Sequence, residues 1–151
     1  MDDLKELYQQ VILDHNKHPQ NYGRLENANR TAEGYNPLCG DRVQLFLQVE
    51  DGVIQDIRFL GSGCAISKAS ASVMTTELKG RTIAEAEELF KRFQSLITSD
   101  IHHAVDAKDF GKLAVFSGVR EFPMRIKCAG LSWHAMMSAL HQSGKAVSTE
   151  S

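Results

Sequence analysis

Two runs of alternating apolar residues, separated by Asp51-Gly52, constrain the fold most strongly. The first run places four apolar side chains on one face of an extended chain: Val43, Leu45, Leu47 and Val49. The second run covers residues 53–60. Asp-Gly favours a two-residue turn because both residues tolerate positive φ. The sequence therefore predicts an antiparallel β-hairpin, one face of which helices must cover.

Helical periodicity predicts four longer helices around this hairpin. Apolar residues recur at three- and four-residue spacing within 4–12, 67–79, 83–97 and 123–143. We expect the second helix to be capped by Ser67 and ended by Gly80. The third begins with a capping box at Thr82 and Glu85, and Pro123 suits the first turn of the last.

The remaining segments are less regular. Residues 19–36 indicate a long surface connection with a short strand near Glu33 to Tyr35, and the spacing of Leu113, Phe116 and Val119 predicts one short helix. The fold class expected is α+β, a small antiparallel sheet with helices packed on one face. We expect a single domain over residues 1–144 and a flexible C-terminal tail over 145–151.

Charge and hydropathy exclude some classes of partner. The 151 residues carry a formal net charge of -2, so no broad cationic surface is available for nucleic acid. No stretch approaches the ~18 apolar residues of a membrane span, and the charged N-terminus lacks a signal peptide's apolar core. We therefore expect a cytoplasmic protein with neither nucleic acid nor membrane as partner.

The three cysteines cannot form a closed set of disulfides, which leaves buried thiols, reactive thiols or metal ligands. Cys39 and Asp41 precede the first hairpin strand, and Cys64 follows the second. Because those strand ends are neighbours in an antiparallel pair, the hairpin brings these three side chains to one sheet edge. Cys128 lies in the first turns of the last helix, where simple burial is the competing interpretation.

Thiolates are preferred ligands of zinc and of iron-sulfur clusters, and a carboxylate can complete a tetrahedral site. The chain offers three sulfurs and one carboxylate for such a site. Zinc with these four ligands would carry a net charge of about minus two, which needs cationic or hydrogen-bonding neighbours. Arg125 and Lys127, which flank Cys128, could supply them.

Three strings carry a resemblance to a known family: residues 36–41 (NPLCGD), 61–70 (GSGCAISKAS) and 125–129 (RIKCA). Together they resemble the IscU/SufU/NifU-N family, and its SufU branch in particular. The IscU branch has a histidine directly before its third cysteine and a Pro-Pro-Val-Lys chaperone signal upstream. This chain has Lys127 and the segment 121–124 (EFPM) instead, and a longer interval between Cys64 and Cys128, as in the SufU branch.

The resemblance implies a zinc-dependent sulfurtransferase that accepts persulfide sulfur from a pyridoxal-phosphate cysteine desulfurase of the SufS type. It implies a metal site at the sheet edge with Cys39, Asp41, Cys64 and Cys128 as ligands, and Cys39 as the sulfur acceptor. Downstream iron-sulfur assembly proteins are the further partners, and a dedicated Hsp70-type chaperone is not expected.

Three alternatives remain open from the sequence. The same four ligands could hold a transient [2Fe-2S] cluster, which would make the protein an assembly scaffold. A cysteine hydrolase would need a histidine base beside Cys64 or Cys128, and no oxyanion motif accompanies either residue. An inert structural zinc site would use identical ligands only to add folding free energy.

Overall fold

The hairpin around Asp51-Gly52 lies at the centre of the computed structural model, which describes residues 2–37, 40–100, 107–141 and 147–148. Strand β2 (Asp41–Glu50) pairs antiparallel with β3 (Val53–Ser62). Both turn residues have positive φ, 54° at Asp51 and 75° at Gly52. The predicted hairpin is therefore confirmed.

A third strand on the other side of β2 is longer than the sequence predicts. Strand β1 (Arg30–Asn36) pairs antiparallel with β2 over its whole length, from Arg30 opposite Leu47 to Asn36 opposite Asp41. Its buried positions hold alanine, glycine and asparagine, so apolar alternation reveals little of it. Residues Val147–Ser148, within the predicted tail, form β4 parallel to β1 and give the order β3-β2-β1-β4.

The helices lie close to their predicted positions. They are α1 (Asp2–Lys17), α2 (Ala65–Leu78), α3 (Ile83–Thr98), α4 (Ala107–Phe110), a 3₁₀ helix (Gly111–Glu121) and α5 (Pro123–Leu140). The capping box of Thr82 and Glu85 is confirmed. The N-cap of α2 is Cys64 rather than Ser67, so that prediction is wrong. The three-residue spacing of Leu113, Phe116 and Val119 matches the period of the 3₁₀ helix.

Helices α2 and α5 pack on the inner face of the sheet, and α1, α3 and the 3₁₀ helix pack against them. The apolar core includes Trp133, whose ring stacks on Phe93 with centroids 4.6 Å apart. Helix α5 lies directly on β1, since a Cβ atom at Gly34 would come within 3.0 Å of Leu131 Cδ1. The predicted α+β class, with helices on one sheet face, is confirmed.

Within the described ranges, no helix combines the length and the apolar character that a membrane crossing requires.

Candidate metal centre

Three side chains with metal-ligating atoms converge where the hairpin meets α5. Asp41 is the first residue of β2, and Cys64 lies two residues after the end of β3. The two are close in space because Arg42 pairs with Ser62 in the antiparallel register. Cys128 comes from the second turn of α5. The ligand atoms of Asp41, Cys64 and Cys128 all lie within 4.8 Å of one another. The sequence argument from strand register thus agrees with the observed geometry for Asp41 and Cys64.

The Asp41 carboxylate is buried and held by the chain segment that enters α2. Its Oδ1 accepts a hydrogen bond of 2.8 Å from the backbone N–H of Cys64, and its Oδ2 lies 3.6 Å from the Cys64 sulfur. Gly63 has a φ of 123°, and a Cβ atom there would lie 2.8 Å from the Cα of Asp41. A side chain at position 63 would therefore displace the carboxylate.

Cys64 occupies the N-cap position of α2. Its φ and ψ of -75° and 160° are extended, and its sulfur accepts the backbone N–H of Ser67 at 3.5 Å. The unpaired N–H groups and positive dipole end of a helix favour a negative charge at this position. Because the thiol takes the place usually filled by a hydroxyl or carboxylate, the local structure favours a thiolate at Cys64.

Cys128 is buried, with 2% of its surface exposed, but it is not surrounded by apolar side chains alone. The side-chain amide of Asn36 donates to its sulfur at 3.7 Å. The thiol also interacts with Cys64 and with Asp41. The competing interpretation of Cys128 as a purely apolar core residue therefore does not describe its surroundings.

The thiols of Cys64 and Cys128 differ in how readily they lose a proton. The pKa of Cys64 is lowered to about 7, first because the Cys128 thiol donates a hydrogen bond to its sulfur. The pKa of Cys128 is raised, first by that same hydrogen bond and then by burial and the neighbouring Asp41. The first proton to leave the pair therefore comes from Cys64, and a bound cation would take its place between the two sulfurs.

The donor set fits zinc or iron rather than a hard cation. Two sulfurs and one carboxylate suit borderline or soft metals, whereas calcium and magnesium take oxygen ligands. Sulfurs about 2.3 Å from a tetrahedral zinc lie about 3.8 Å apart, so small shifts would close the observed group around one ion. Asp41 accepts a hydrogen bond from the Cys64 N–H and lies against both thiols, and a buried carboxylate is stabilised by a cation.

The predicted fourth ligand, Cys39, lies outside the described residues together with Leu38. The chain on either side of it is described. Gly40 N–H donates to the Asn36 carbonyl at 2.8 Å, and Gly40 has a φ of 72°. Strand β1 therefore ends at Asn36 and β2 begins at Asp41, beside the candidate centre.

Arg125 and Lys127, the predicted cationic neighbours of the metal centre, occupy different surroundings on α5. The Arg125 guanidinium lies 4.3 Å from the centroid of the Phe122 ring, and Arg125 lines a cavity that Cys64 and Cys128 also line. Lys127 is half-buried on α5, directly before Cys128.

That cavity has a volume of about 750 Å³ and opens beside the two thiols. Its walls are α1, the entry to α2, the 3₁₀ helix and the first turns of α5. Among the histidines that the structure describes, none lines it. His102 and His103 lie outside the described ranges. Sequence reasoning missed the cavity because it arises only when helices distant in the chain pack together.

Sequence reasoning also left Asn36 without a role. The residue belongs to the string that carries the family resemblance, and it falls on the buried side of β1 in step with Ala32 and Gly34. A polar residue at a buried strand position is the signal that could have identified it.

Comparisons with known proteins point in one direction. The profile of the NifU-like N terminal domain family matches residues 7–129. The chain is 42% identical over 133 residues to the zinc-dependent sulfurtransferase SufU of Bacillus subtilis, covering 88% of each chain. It is 36% identical over 143 residues to the iron-sulfur cluster assembly scaffold protein IscU of Streptococcus pyogenes, covering 95% of this chain and 88% of that one.

A solved structure agrees with these sequence matches. The crystal structure of a proposed iron-sulfur cluster assembly scaffold protein for the SUF system of Fervidobacterium islandicum superposes with a TM-score of 0.79. The identity is 36%, and the match covers 89% of this chain and 97% of that one.

Proposed function

Because the chain belongs to the family of NifU-like N-terminal domains, we propose that it is a zinc-dependent sulfurtransferase of iron-sulfur cluster biogenesis. In this role it accepts persulfide sulfur from a pyridoxal-phosphate cysteine desulfurase of the SufS type and passes it to downstream assembly proteins. The observation that carries the proposal is the convergence of Asp41, Cys64 and Cys128 within 4.8 Å. The relative with 42% identity is itself named a zinc-dependent sulfurtransferase.

Asp41, Cys64 and Cys128 would hold zinc, with Cys39 from the adjoining turn as the fourth ligand. When bound, zinc keeps the cysteine sulfurs deprotonated at neutral pH. The three described ligands are anchored by secondary structure: Asp41 at the start of a strand, Cys64 at a helix N-cap and Cys128 within a helix. Cys39 precedes Gly40 in a segment whose sequence predicts a turn, so we expect it to be the ligand that can leave with least disturbance of the fold.

Cys39 is the proposed acceptor of sulfur. Released as a thiolate, it attacks the outer sulfur of the desulfurase persulfide. The sulfur-sulfur bond of the donor breaks, a new one forms at Cys39, and the donor cysteine leaves as a thiolate that recovers a proton from solvent. The reaction exchanges one persulfide for another, so no external oxidant or reductant is consumed.

The cavity beside the thiols offers a path by which a partner's persulfide could approach. Cys64, Arg125 and Cys128 all lie in its wall. A zinc site with three thiolates and one carboxylate carries excess negative charge, which the cationic side chains of Arg125 and Lys127 would offset.

A scaffold that assembles a [2Fe-2S] cluster is the second candidate, and the similarity to a relative named as a scaffold favours it. Iron and zinc share the preference for thiolate, so the ligands do not separate the two functions. Metal analysis of protein isolated without added iron does. One tightly bound zinc in a colourless protein supports sulfur transfer, and a brown protein with bound iron and sulfide supports the scaffold.

Stimulation of a cysteine desulfurase tests the main proposal. We expect the zinc-loaded protein to accelerate sulfur release from cysteine and to accumulate a persulfide on Cys39, detectable by mass spectrometry of peptides. Cys39→Ser should abolish both effects, since serine cannot carry the transferred sulfur. Ser62→Ala is the matched control, because Ser62 is exposed at the nearby end of β3.

Two outcomes would contradict the proposal. Persulfide that still accumulates on the Cys39→Ser protein would assign the acceptor role to another cysteine. A wild-type protein that binds zinc but leaves the desulfurase rate unchanged would favour the inert structural site.

A further inference from the structure

Asn36 is a polar residue on the apolar face of the sheet. It is the last residue of β1, its exposure is 0%, and it follows Ala32 and Gly34 on the same face. Burying an amide costs free energy unless its polar atoms are hydrogen-bonded. The groups that Asn36 contacts therefore indicate why a polar side chain is present there.

The side chain of Asn36 reaches the candidate metal centre. Its Nδ2 donates to the Cys128 sulfur at 3.7 Å. The packing of α5 on β1 explains this contact. Leu131 lies against Gly34, and Cys128 stands three residues earlier on the helix, a rise of about 4.5 Å. Asn36 stands two residues later on the strand, about 6.6 Å along it, so the two side chains meet.

The backbone of Asn36 reaches the other ligands. Its carbonyl accepts the N–H of Gly40 at 2.8 Å, on the residue that directly follows Cys39 in the sequence. In the sheet it pairs with Asp41. Asn36 thus contacts the sulfur of Cys128, the backbone of Gly40 and, as a strand partner, Asp41.

We propose that Asn36 is a positioning residue for the metal centre, whose side-chain amide fixes the Cys128 sulfur so that this ligand stays bound when Cys39 leaves. This inference rests on the proposed function and deepens it. An N–H donor directs a lone pair of the sulfur and disperses its charge, and partners of this kind typically alter metal affinity by about 10- to 100-fold.

The two described sulfurs receive different kinds of donor. Cys64 accepts a backbone N–H from Ser67 at the start of a helix. Cys128 lies in the second turn of α5, where its backbone N–H is used within the helix, and the side chain of Asn36 donates to its sulfur. Substitution can therefore remove the donor at Cys128 without altering a helix terminus.

Zinc affinity of the full chain, measured by competition with a chromophoric chelator, tests the proposal. We expect Asn36→Ala to weaken zinc binding by about 10- to 100-fold. Asn36→Asp should weaken it at least as much, because a nearly isosteric carboxylate replaces the donor with an acceptor. Zinc affinity of folded Asn36→Ala within about twofold of wild type would overturn the proposal.

Ser70→Ala is the control for a merely structural effect. Ser70 Oγ is buried at the contact between α2 and α5, where it donates to the Ala129 carbonyl at 2.6 Å and accepts from Trp133 Nε1 at 3.2 Å. We expect this variant to lose thermal stability while its zinc affinity stays within about twofold of wild type. Equal losses of zinc affinity in the Ser70 and Asn36 variants would contradict a specific role for Asn36.

A measurement on the wild-type protein does not depend on the folding of any variant. In ¹⁵N-edited NMR spectra, the side-chain amide protons of Asn36 should shift when zinc is added. The side-chain amide of Asn21, which donates to Thr75 Oγ1 at 3.0 Å, is the internal reference and should not shift. An unchanged Asn36 resonance in zinc-loaded protein would overturn the proposal.

Failure of this inference is distinguishable from failure of the proposed function. A wild-type protein that binds no zinc would overturn both. A wild-type protein that accepts sulfur, with Asn36 variants that keep full zinc affinity, would overturn the role of Asn36 alone. Loss of zinc affinity in the Asn36 variants, without any sulfur transfer by the wild type, would overturn only the sulfurtransferase function.

Discussion

The cysteines Cys64 and Cys128 share a hydrogen bond but differ in acidity. The pKa of Cys64 is lowered to about 7, whereas that of Cys128 is raised, and the hydrogen bond between them is the first cause of both shifts. In metal-free protein, we predict that Cys64 reacts with iodoacetamide with a midpoint near pH 7, because the thiolate is the nucleophile. Cys128 should remain unreactive up to about pH 9. Mass spectrometry of alkylated peptides measures each cysteine separately.

The variant Cys128→Ala provides the control for this prediction. Removal of the donor takes away the main stabilisation of the Cys64 thiolate, so the midpoint should rise towards the ordinary thiol value of about 8.5. The hydrogen bond from Cys128 stabilises the Cys64 thiolate and so lowers the pKa of Cys64. Removing that bond should therefore raise the pKa. A midpoint that stays near pH 7 would show that the helix N-terminus alone lowers the pKa.

At the scale of elements, the connection from β3 to α2 fixes the position of the carboxylate. Gly63 has a φ of 123° and packs against Asp41, whereas Gly80 has a φ of 86° and faces open space. Gly80→Ala should cost about 1 kcal/mol of unfolding free energy, from backbone strain alone. Gly63→Ala should cost about 1–3 kcal/mol more, because the methyl group overpacks the carboxylate.

Urea denaturation of the two variants measures these costs, and zinc titration separates their local effects. We expect Gly63→Ala to weaken zinc binding, because the added methyl displaces Asp41 from the other ligands. Gly80→Ala should leave zinc binding unchanged. Equal zinc affinities in both variants would contradict the proposal that Asp41 is a metal ligand.

Elements with strong periodicity or strong turn chemistry could be predicted from the sequence. The hairpin around Asp51-Gly52, the capping box at Thr82 and the start of α5 at Pro123 were each visible from a few residues. Strand β1 was underestimated because its buried side carries Ala32, Gly34 and Asn36 rather than large apolar residues. Tertiary pairing with β2, rather than local preference, forms that strand.

The candidate site, too, could be predicted from the sequence only in part. Strand register alone placed Asp41 and Cys64 at one edge, because hairpin geometry depends on the turn and the strand lengths. The approach of Cys128 depends on how α5 lies on β1, which periodicity does not reveal. The assignment of Ser67 as helix cap was wrong because a hydroxyl is the commoner capping group, and here the Cys64 sulfur takes that role.

For the whole molecule, the apolar core extends well beyond the candidate metal centre. Buried side chains from the sheet, α2, α3, the 3₁₀ helix and α5 form one cluster, which includes Phe59, Phe93, Phe116 and Trp133. Asp41, Cys64 and Cys128 are not members of this cluster. A chain of 151 residues buries enough surface to fold without a metal, unlike a small zinc finger.

We therefore predict that removal of zinc lowers stability without unfolding the protein. Zinc at 100 times its Kd stabilises the native state by about 2.7 kcal/mol. For a domain of this size each kcal/mol shifts the Tm by about 2–4 °C, so chelation should lower the Tm by roughly 5–11 °C. The far-UV circular dichroism at 25 °C should stay unchanged, because the helices pack on a core that the metal does not form.

The variant Cys64→Ser is the control, since its Tm should no longer respond to zinc or chelator. Loss of the helical spectrum on chelation would contradict the prediction and indicate a structural zinc site.

Whether the fold depends on zinc bears on function. Sulfur transfer requires one ligand to leave the metal and return, and a fold that depended on four bound ligands would be weakened at each release. A core that is stable without metal would allow the proposed release of Cys39 while Asp41, Cys64 and Cys128 remain in place.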